Sequence, residues 1–162
     1  MKILIDADAC PVIRITERIA KKRGIPLTLV CDNAHMFSSD YAQTVTVDRG
    51  ADAADFKLFS LTQKGDIVIT QDYGVAVMAL GKGAFPIHQS GRRYTEENID
   101  GLLMERHLAK CERRKNSRNH LKGPGKRTAA DDLRFEESLC RLIDGLDSQS
   151  ILETAGRGAD EQ

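Results

Sequence analysis

Aspartates recur in the first half of the chain where apolar runs end, and these are the residues whose type and spacing could do chemistry. Asp6 closes KILID (residues 2–6), and Asp8 follows two residues later. Asp72 stands two residues beyond IVIT (67–70), after Thr70, and Asp48 closes TVTV (44–47). Asp52 and Asp55 are three apart, a spacing that puts both on one face of a helix. Carboxylates that meet from three segments repel one another by about 4 kcal/mol per close pair at an effective dielectric near 20. Such a group persists when its acids protonate, stay hydrated or bind a cation, and oxygen-only ligands favour Mg²⁺ or Mn²⁺ over zinc. The chemistry it could support is metal-assisted phosphodiester hydrolysis. A divalent ion lowers the pKa of a bound water and neutralises charge developing in the transition state. Asp6, Asp8, Asp52, Asp55 and Asp72 are the candidate ligands, and Thr70 could orient one of them. The plainer account has Asp6 and Asp72 capping the helices that follow and Asp52 and Asp55 facing solvent.

A second pattern is electrostatic. The 162 residues carry 24 Lys+Arg and 24 Asp+Glu, but the zero net charge hides a segregation. Residues 105–127 hold nine bases against two acids, net +7, whereas residues 128–162 are net −6. Arg106, Lys110, Arg113, Arg114, Lys115, Arg118, Lys122, Lys126 and Arg127 form a candidate polyanion surface, such as a nucleic acid would need. Such bases hold a sugar–phosphate backbone without reading its sequence. A solvated helix face running into a loop explains the same run. Asn33, in the loop after residues 27–30, could donate to a phosphate, as could Ser38. Five Phe, three Tyr and no Trp offer no evident stacking platform for single strands.

Composition narrows the class further. The longest uncharged runs (73–81 and 83–91) are nine residues, well short of the roughly 20 that span a bilayer. Acids at positions 6 and 8 fall where a signal peptide is apolar. Cys10, Cys31, Cys111 and Cys140 are far apart and form no C-x-x-C, which reads as reduced thiols in a cytoplasmic protein. Cys10 lies just before a helix start, where a thiol's pKa can fall, but the Arg six residues on that a cysteine phosphatase needs is Thr16. Small-residue packing against a strand is the better account of Cys10.

The elements that must position the acids alternate along the chain. Residues 2–6, 27–30, 44–47, 67–70 and 85–87 are short apolar runs, continuous rather than alternating, as in parallel strands covered on both faces. Between them lie helical stripes. Pro11 suits a first helical position, and Val12, Ile15 and Ile19 follow, ended by Gly24 and Pro26. Ala51, Ala54, Leu58 and Leu61 make a second stripe, and residues 75–80 a third. Thr95 opens a fourth, which carries Ile99, Leu102 and Leu103 into the basic segment. KGPGK (122–126) is a break, Thr128 with Asp131 is a capping signature, and Phe135, Leu139, Leu142 and Leu146 form the last stripe. The pattern predicts one domain over residues 1–146, a three-layer α/β/α sandwich, with a disordered acidic tail over 147–162. In an open parallel sheet ligands bind outside the carboxyl ends of the strands, where these aspartates fall.

The motifs DADACPV (6–12), GADAAD (50–55), GDIVITQDYG (65–74), YTEENID (94–100), KGP (122–124) and RF (134–135) resemble the YaiI/YqxD family over roughly residues 1–145. These uncharacterised bacterial proteins are usually placed with the PIN-like and NYN-like nucleases. The resemblance implies a PIN-like Rossmannoid fold with a mostly parallel sheet in the order 3-2-1-4-5. It also implies a metal-dependent phosphodiesterase or ribonuclease using Mg²⁺ or Mn²⁺. The acid ending the first strand of that group matches Asp6, its helical acid matches Asp52 or Asp55, and its T-x-D acid matches Asp72. The last acid of its usual quartet has no counterpart, because the fifth strand is followed by His88, Gln89 and Ser90.

Two readings from other classes compete. A haloacid-dehalogenase-type phosphatase would use D-A-D, with Asp6 as covalent nucleophile and Asp8 as general acid. Its later Lys and acidic-pair motifs have no match in this order. The other is a non-catalytic RNA-binding or regulatory module whose acids hold a structural cation.

Overall fold

The computed structural model describes residues 1–8, 10–32, 39–48, 50, 53–115 and 125–157, without the side chains of 113–115 and 150–157. The strands are β1 (Ile3–Asp6), β2 (Leu27–Asp32), β3 (Gln43–Val47), β4 (Ile67–Ile69) and β5 (Phe85–Ile87). They form one sheet in the order β3-β2-β1-β4-β5, every neighbouring pair parallel. This is the order implied by the family resemblance. The continuous apolar runs follow from it, because both faces of the sheet are covered.

Alternate residues of β1 face different layers. Ile3 and Ile5 join one core with Leu27, Leu29, Ile67, Ile69 and Ile87. Helices α1 (Ile13–Arg23) and α5 (Ala129–Arg157) cover that face through Ile19, Phe135, Leu139 and Ile143. Leu4, Val30 and Val68 face the other way, against Leu58 of α2 (Ala53–Leu61) and Val75 and Ala79 of α3 (Tyr73–Gly81). Helix α4 (Glu96–Lys115) does not lie on the sheet. It packs on α3 through Ile99, against Ala76 and Tyr94. Its outer half leaves this support, with Met104 and Leu108 more than half exposed at 59% and 54%.

Two element limits differ from the expected ones, at the start of α1 and the end of α5. Helix α1 begins at Ile13 rather than Pro11, and its N-cap is Val12 with no side-chain cap bond. Val12 is fully buried, so core packing anchors it before the helix starts. Helix α2 is described from Ala53, and Ala51, the first residue of its expected stripe, lies outside the described residues with Asp52. Helix α5 runs to Arg157, through eleven residues (147–157) assigned to the disordered tail. Ile151, Leu152, Glu153 and Ala155 are adequate to good helix formers, and they extend a helix that the core has already nucleated. The capping signature is realised. Thr128 N donates to Asp131 Oδ2 at 2.8 Å, and Asp131 N donates back to Thr128 Oγ1 at 3.3 Å.

Candidate functional site

Asp6 is the last residue of β1, between β2 and β4, so it stands at the carboxyl rim in the middle of the sheet. Thr70, just beyond β4, is itself buried and donates from Oγ1 to Asp6 Oδ2 at 3.1 Å. The same hydroxyl accepts from Asp72 N at 3.0 Å. One threonine thus fixes an acid from each of two neighbouring strand ends.

The Asp6 carboxyl is pushed up from 3.8 to about 6. Burial is the largest cause, opposed by the Thr70 hydrogen bond, and the charges of Asp55, Asp8 and Asp72 raise it further. Its near neighbour Asp8 and the acids of two further segments, Asp55 and Asp72, therefore act on Asp6 electrostatically. Asp8 accepts from Asp32 N at 3.1 Å through Oδ2, which ties it to the end of β2. Asp55 lies in the first turn of α2.

Asp72 divides its two oxygens. Oδ1 caps α3, accepting from Gly74 N at 2.6 Å and Val75 N at 3.3 Å. Oδ2 faces the Arg106 guanidinium at 3.9 Å. Arg106 also lies over the Tyr73 ring, 5.1 Å from its centroid. The capping role is therefore real for Asp72, whereas the N-cap of α1, Val12, has no side-chain cap bond. Asp48 is exposed beyond β3.

Among the described residues, no three His, Cys, Asp or Glu side chains are grouped so as to hold a metal ion. Asp52, the residue expected to complete such a group, lies outside the described residues, as do Asn33, Arg118 and Lys122. The same holds for the side chains of Arg113, Arg114 and Lys115, whose backbone ends α4. Arg106 and Lys110 are exposed on that helix, and Lys126 is exposed before α5. Arg127 is half-buried and already engaged, pairing with Asp132 and donating to the Gln89 carbonyl at 2.9 Å. It ties the start of α5 to the segment after β5.

Cys10 behaves as a packing residue. Burial pushes its thiol up to about 11, against the lowering that a helix start can produce.

Two features escaped the sequence pattern. Asp32 closes β2 at the same rim, and its signal was the familiar one, an acid ending an apolar run. Arg92 donates to Tyr73 Oη at 3.0 Å, so a second base reaches the residue beside Asp72. Nothing in local spacing joins Arg92 to Tyr73.

The comparisons agree with the resemblance seen in the motifs. A family model described as "Uncharacterized BCR, YaiI/YqxD family" matches residues 4–145. A UPF0178 protein of Clostridium acetobutylicum is 58% identical over 143 residues, covering 88% of this chain and 97% of the relative. One from Alkaliphilus oremlandii is 52% identical over 156 residues, covering 96% and 97% respectively. Among solved structures, Rae1 (YacP) from Bacillus subtilis is similar at a TM-score of 0.43 and 17% identity, covering 92% of this chain and 99% of that one. No helix among the described residues is long and apolar enough to cross a membrane.

Proposed function

The chain belongs to the YaiI/YqxD family, and on that premise we propose that its carboxylate rim is the active site of a divalent-metal-dependent phosphodiesterase acting on RNA. One observation carries the reading. Asp6 is held by Thr70 at the centre of the rim, its carboxyl pushed up to about 6 by burial and by the charges of Asp55, Asp8 and Asp72. A buried acid among like charges is destabilising unless a counter-charge arrives, and perturbed acids of this kind cluster at functional sites.

The donor set suits a hard cation of the magnesium type. Mg²⁺ is commonly held by one or two carboxylates, with waters and substrate phosphate completing its shell. A sparse set of acids is therefore sufficient. Asp6 and Asp55 would hold it, with Asp52, and Asp8 or Asp72 would act through water. When bound, the ion activates a water and offsets charge on the scissile phosphate. The chain's own groups do the rest. Thr70 keeps Asp6 in place, Asp72 fixes the start of α3, and Arg106 presents a cation beside the acids. The bases of 106–127 would hold the flanking backbone.

The test is cleavage of a labelled RNA in Mg²⁺, Mn²⁺ or EDTA, with Asp6→Asn alongside. We expect cleavage only with metal, and a loss of about a thousandfold in Asp6→Asn, the size that several kcal/mol of lost charge stabilisation gives. Cleavage in EDTA, or equal rates in the variant, would overturn the assignment. A second reading, a non-catalytic RNA-binding module, is favoured by the double commitment of Asp72 to α3 and Arg106. RNA retention without cleavage in any metal would select it.

A further inference from the structure

Several arginines outside the 106–127 segment share one cavity. Arg134, Ser138 and Arg141 are spaced four and three residues apart on α5, which stacks them along one helix face. Opposite them is the turn 88–93 that follows β5. Gly91 in this turn has φ +87°, and a Cβ there would stand 2.8 Å from the Arg134 carbonyl oxygen. Only glycine allows turn and helix to approach so closely. Ser138 Oγ donates to the Gly91 carbonyl at 2.6 Å. The turn is closed by Gly91 N donating to His88 O and His88 N donating to Arg92 O, both at 2.8 Å.

Between turn and helix lies a cavity of about 430 Å³ lined by Ser90, Arg92, Arg93, Arg134, Ser138 and Arg141. Glu137 also lines it and pairs with Arg141 at 3.2 Å. Four guanidinium groups against one carboxylate leave the lining with a net charge of +3. Arg134 is paired with Asp131, whereas Arg93 has no ion pair among the described residues. Like charges gathered on a pre-formed concave surface favour an anion, and guanidinium forks with hydroxyls match phosphate oxygens. Arg92 connects this cavity to the carboxylate rim, since it lines the one and donates to Tyr73, next to Asp72.

We propose that this cavity seats a phosphate group of the nucleic-acid strand, away from the linkage that is cut, held chiefly by Arg92, Arg93 and Arg141. The identity of the strand rests on the proposed function; the capture of a phosphate does not. The phosphate is either a 5′-terminal monoester or an internal diester, two sources with one chemistry.

The experiment is equilibrium binding of a fluorescent single-stranded RNA to the full chain in EDTA, where no metal-dependent cleavage intervenes. The probes carry either a 5′-phosphate or a 5′-hydroxyl. Arg93 and Arg141 are exposed, so the pair Arg93→Ala/Arg141→Ala is compatible with the fold, and its melting temperature checks this. We expect binding at least about tenfold weaker, one lost charge-assisted contact or more. The salt slope should fall by about 0.7 for each phosphate released. A loss confined to the 5′-phosphorylated probe identifies a terminal phosphate, and an equal loss on both identifies an internal one. Unchanged binding of both probes overturns the proposal. Cleavage with Mn²⁺ alongside unchanged binding defeats the cavity and leaves the nuclease reading standing. Weakened binding in a protein that cleaves nothing does the reverse.

Discussion

A carboxylate at the end of a buried strand destabilises the fold when it is ionised, and Asp6 is placed to show this. Its pKa is about 6 in the folded chain against 3.8 for the free group. Between these values the folded state binds more protons than the unfolded one, so stability falls as pH rises through that window and stays lower above it. Asp6→Asn removes the charge and keeps an acceptor for Thr70. In metal-free buffer at pH 7.5 the variant should be more stable by about 1–2 kcal/mol, less than the full shift converts to because Asp6 is only partly buried. The gain should vanish below about pH 4, where Asp6 is protonated in both states. Denaturant melts in EDTA at the two pH values measure it, and equal stabilities at pH 7.5 would remove Asp6 from the repulsive group. His88 acts in the opposite sense. Burial first, then Arg92 and Arg127, lower its pKa from 6.5, so its contribution is complete above that value and declines as pH falls below it.

At the scale of elements, the α3 N-terminus separates two roles that one residue carries. Asp72→Ala loses the cap to Gly74 N and Val75 N and should cost about 1 kcal/mol. Asp72→Asn keeps a good cap and should melt as the wild type does, while removing the charge beside Arg106. If only the alanine variant loses RNA cleavage, Asp72 serves the helix alone; if both lose it, the carboxylate serves the site. The turn 88–93 gives a second measurement. Gly91→Ala forces a side chain into positive φ and against the Arg134 carbonyl, and should destabilise by about 1–3 kcal/mol. The two cases differ in how far they could be read in the sequence. IVIT followed by Asp72 is a local pattern, apolar run then acid, and both strand and rim position follow from it. Gly91 owes its meaning to Arg134, 43 residues later, and no periodicity links them. The start of α1 slipped by two residues for a related reason. Pro11 is a local helix signal, but burial of Val12 decides where the helix begins.

For the whole molecule, the arrangement of charge matters more than its zero total. Acids from the end of β1, α2 and the β4–α3 junction act on Asp6 at the carboxyl rim, and on α4 Arg106 stands 3.9 Å from Asp72, with Lys110 exposed one turn further on. The net +7 of residues 105–127 was legible because charge needs no tertiary knowledge to count. The arginines at 92, 93, 134 and 141 were not, because they come from two segments joined only by folding. If the rim performs chemistry and the bases hold the strand, the two functions separate by mutation. Neutralising Arg113, Arg114 and Lys115 to Gln should weaken single-stranded RNA binding and flatten its dependence on log salt by about two units, at about 0.7 per phosphate contact. Mn²⁺ affinity, measured by calorimetry without RNA, should stay unchanged in that triple variant. Asp6→Asn should show the converse, with Mn²⁺ binding lost and the salt slope kept. A triple variant that leaves the slope where it was would make the outer half of α4 a solvated surface, and the strand would then have to be held by the arginine cavity and Arg106.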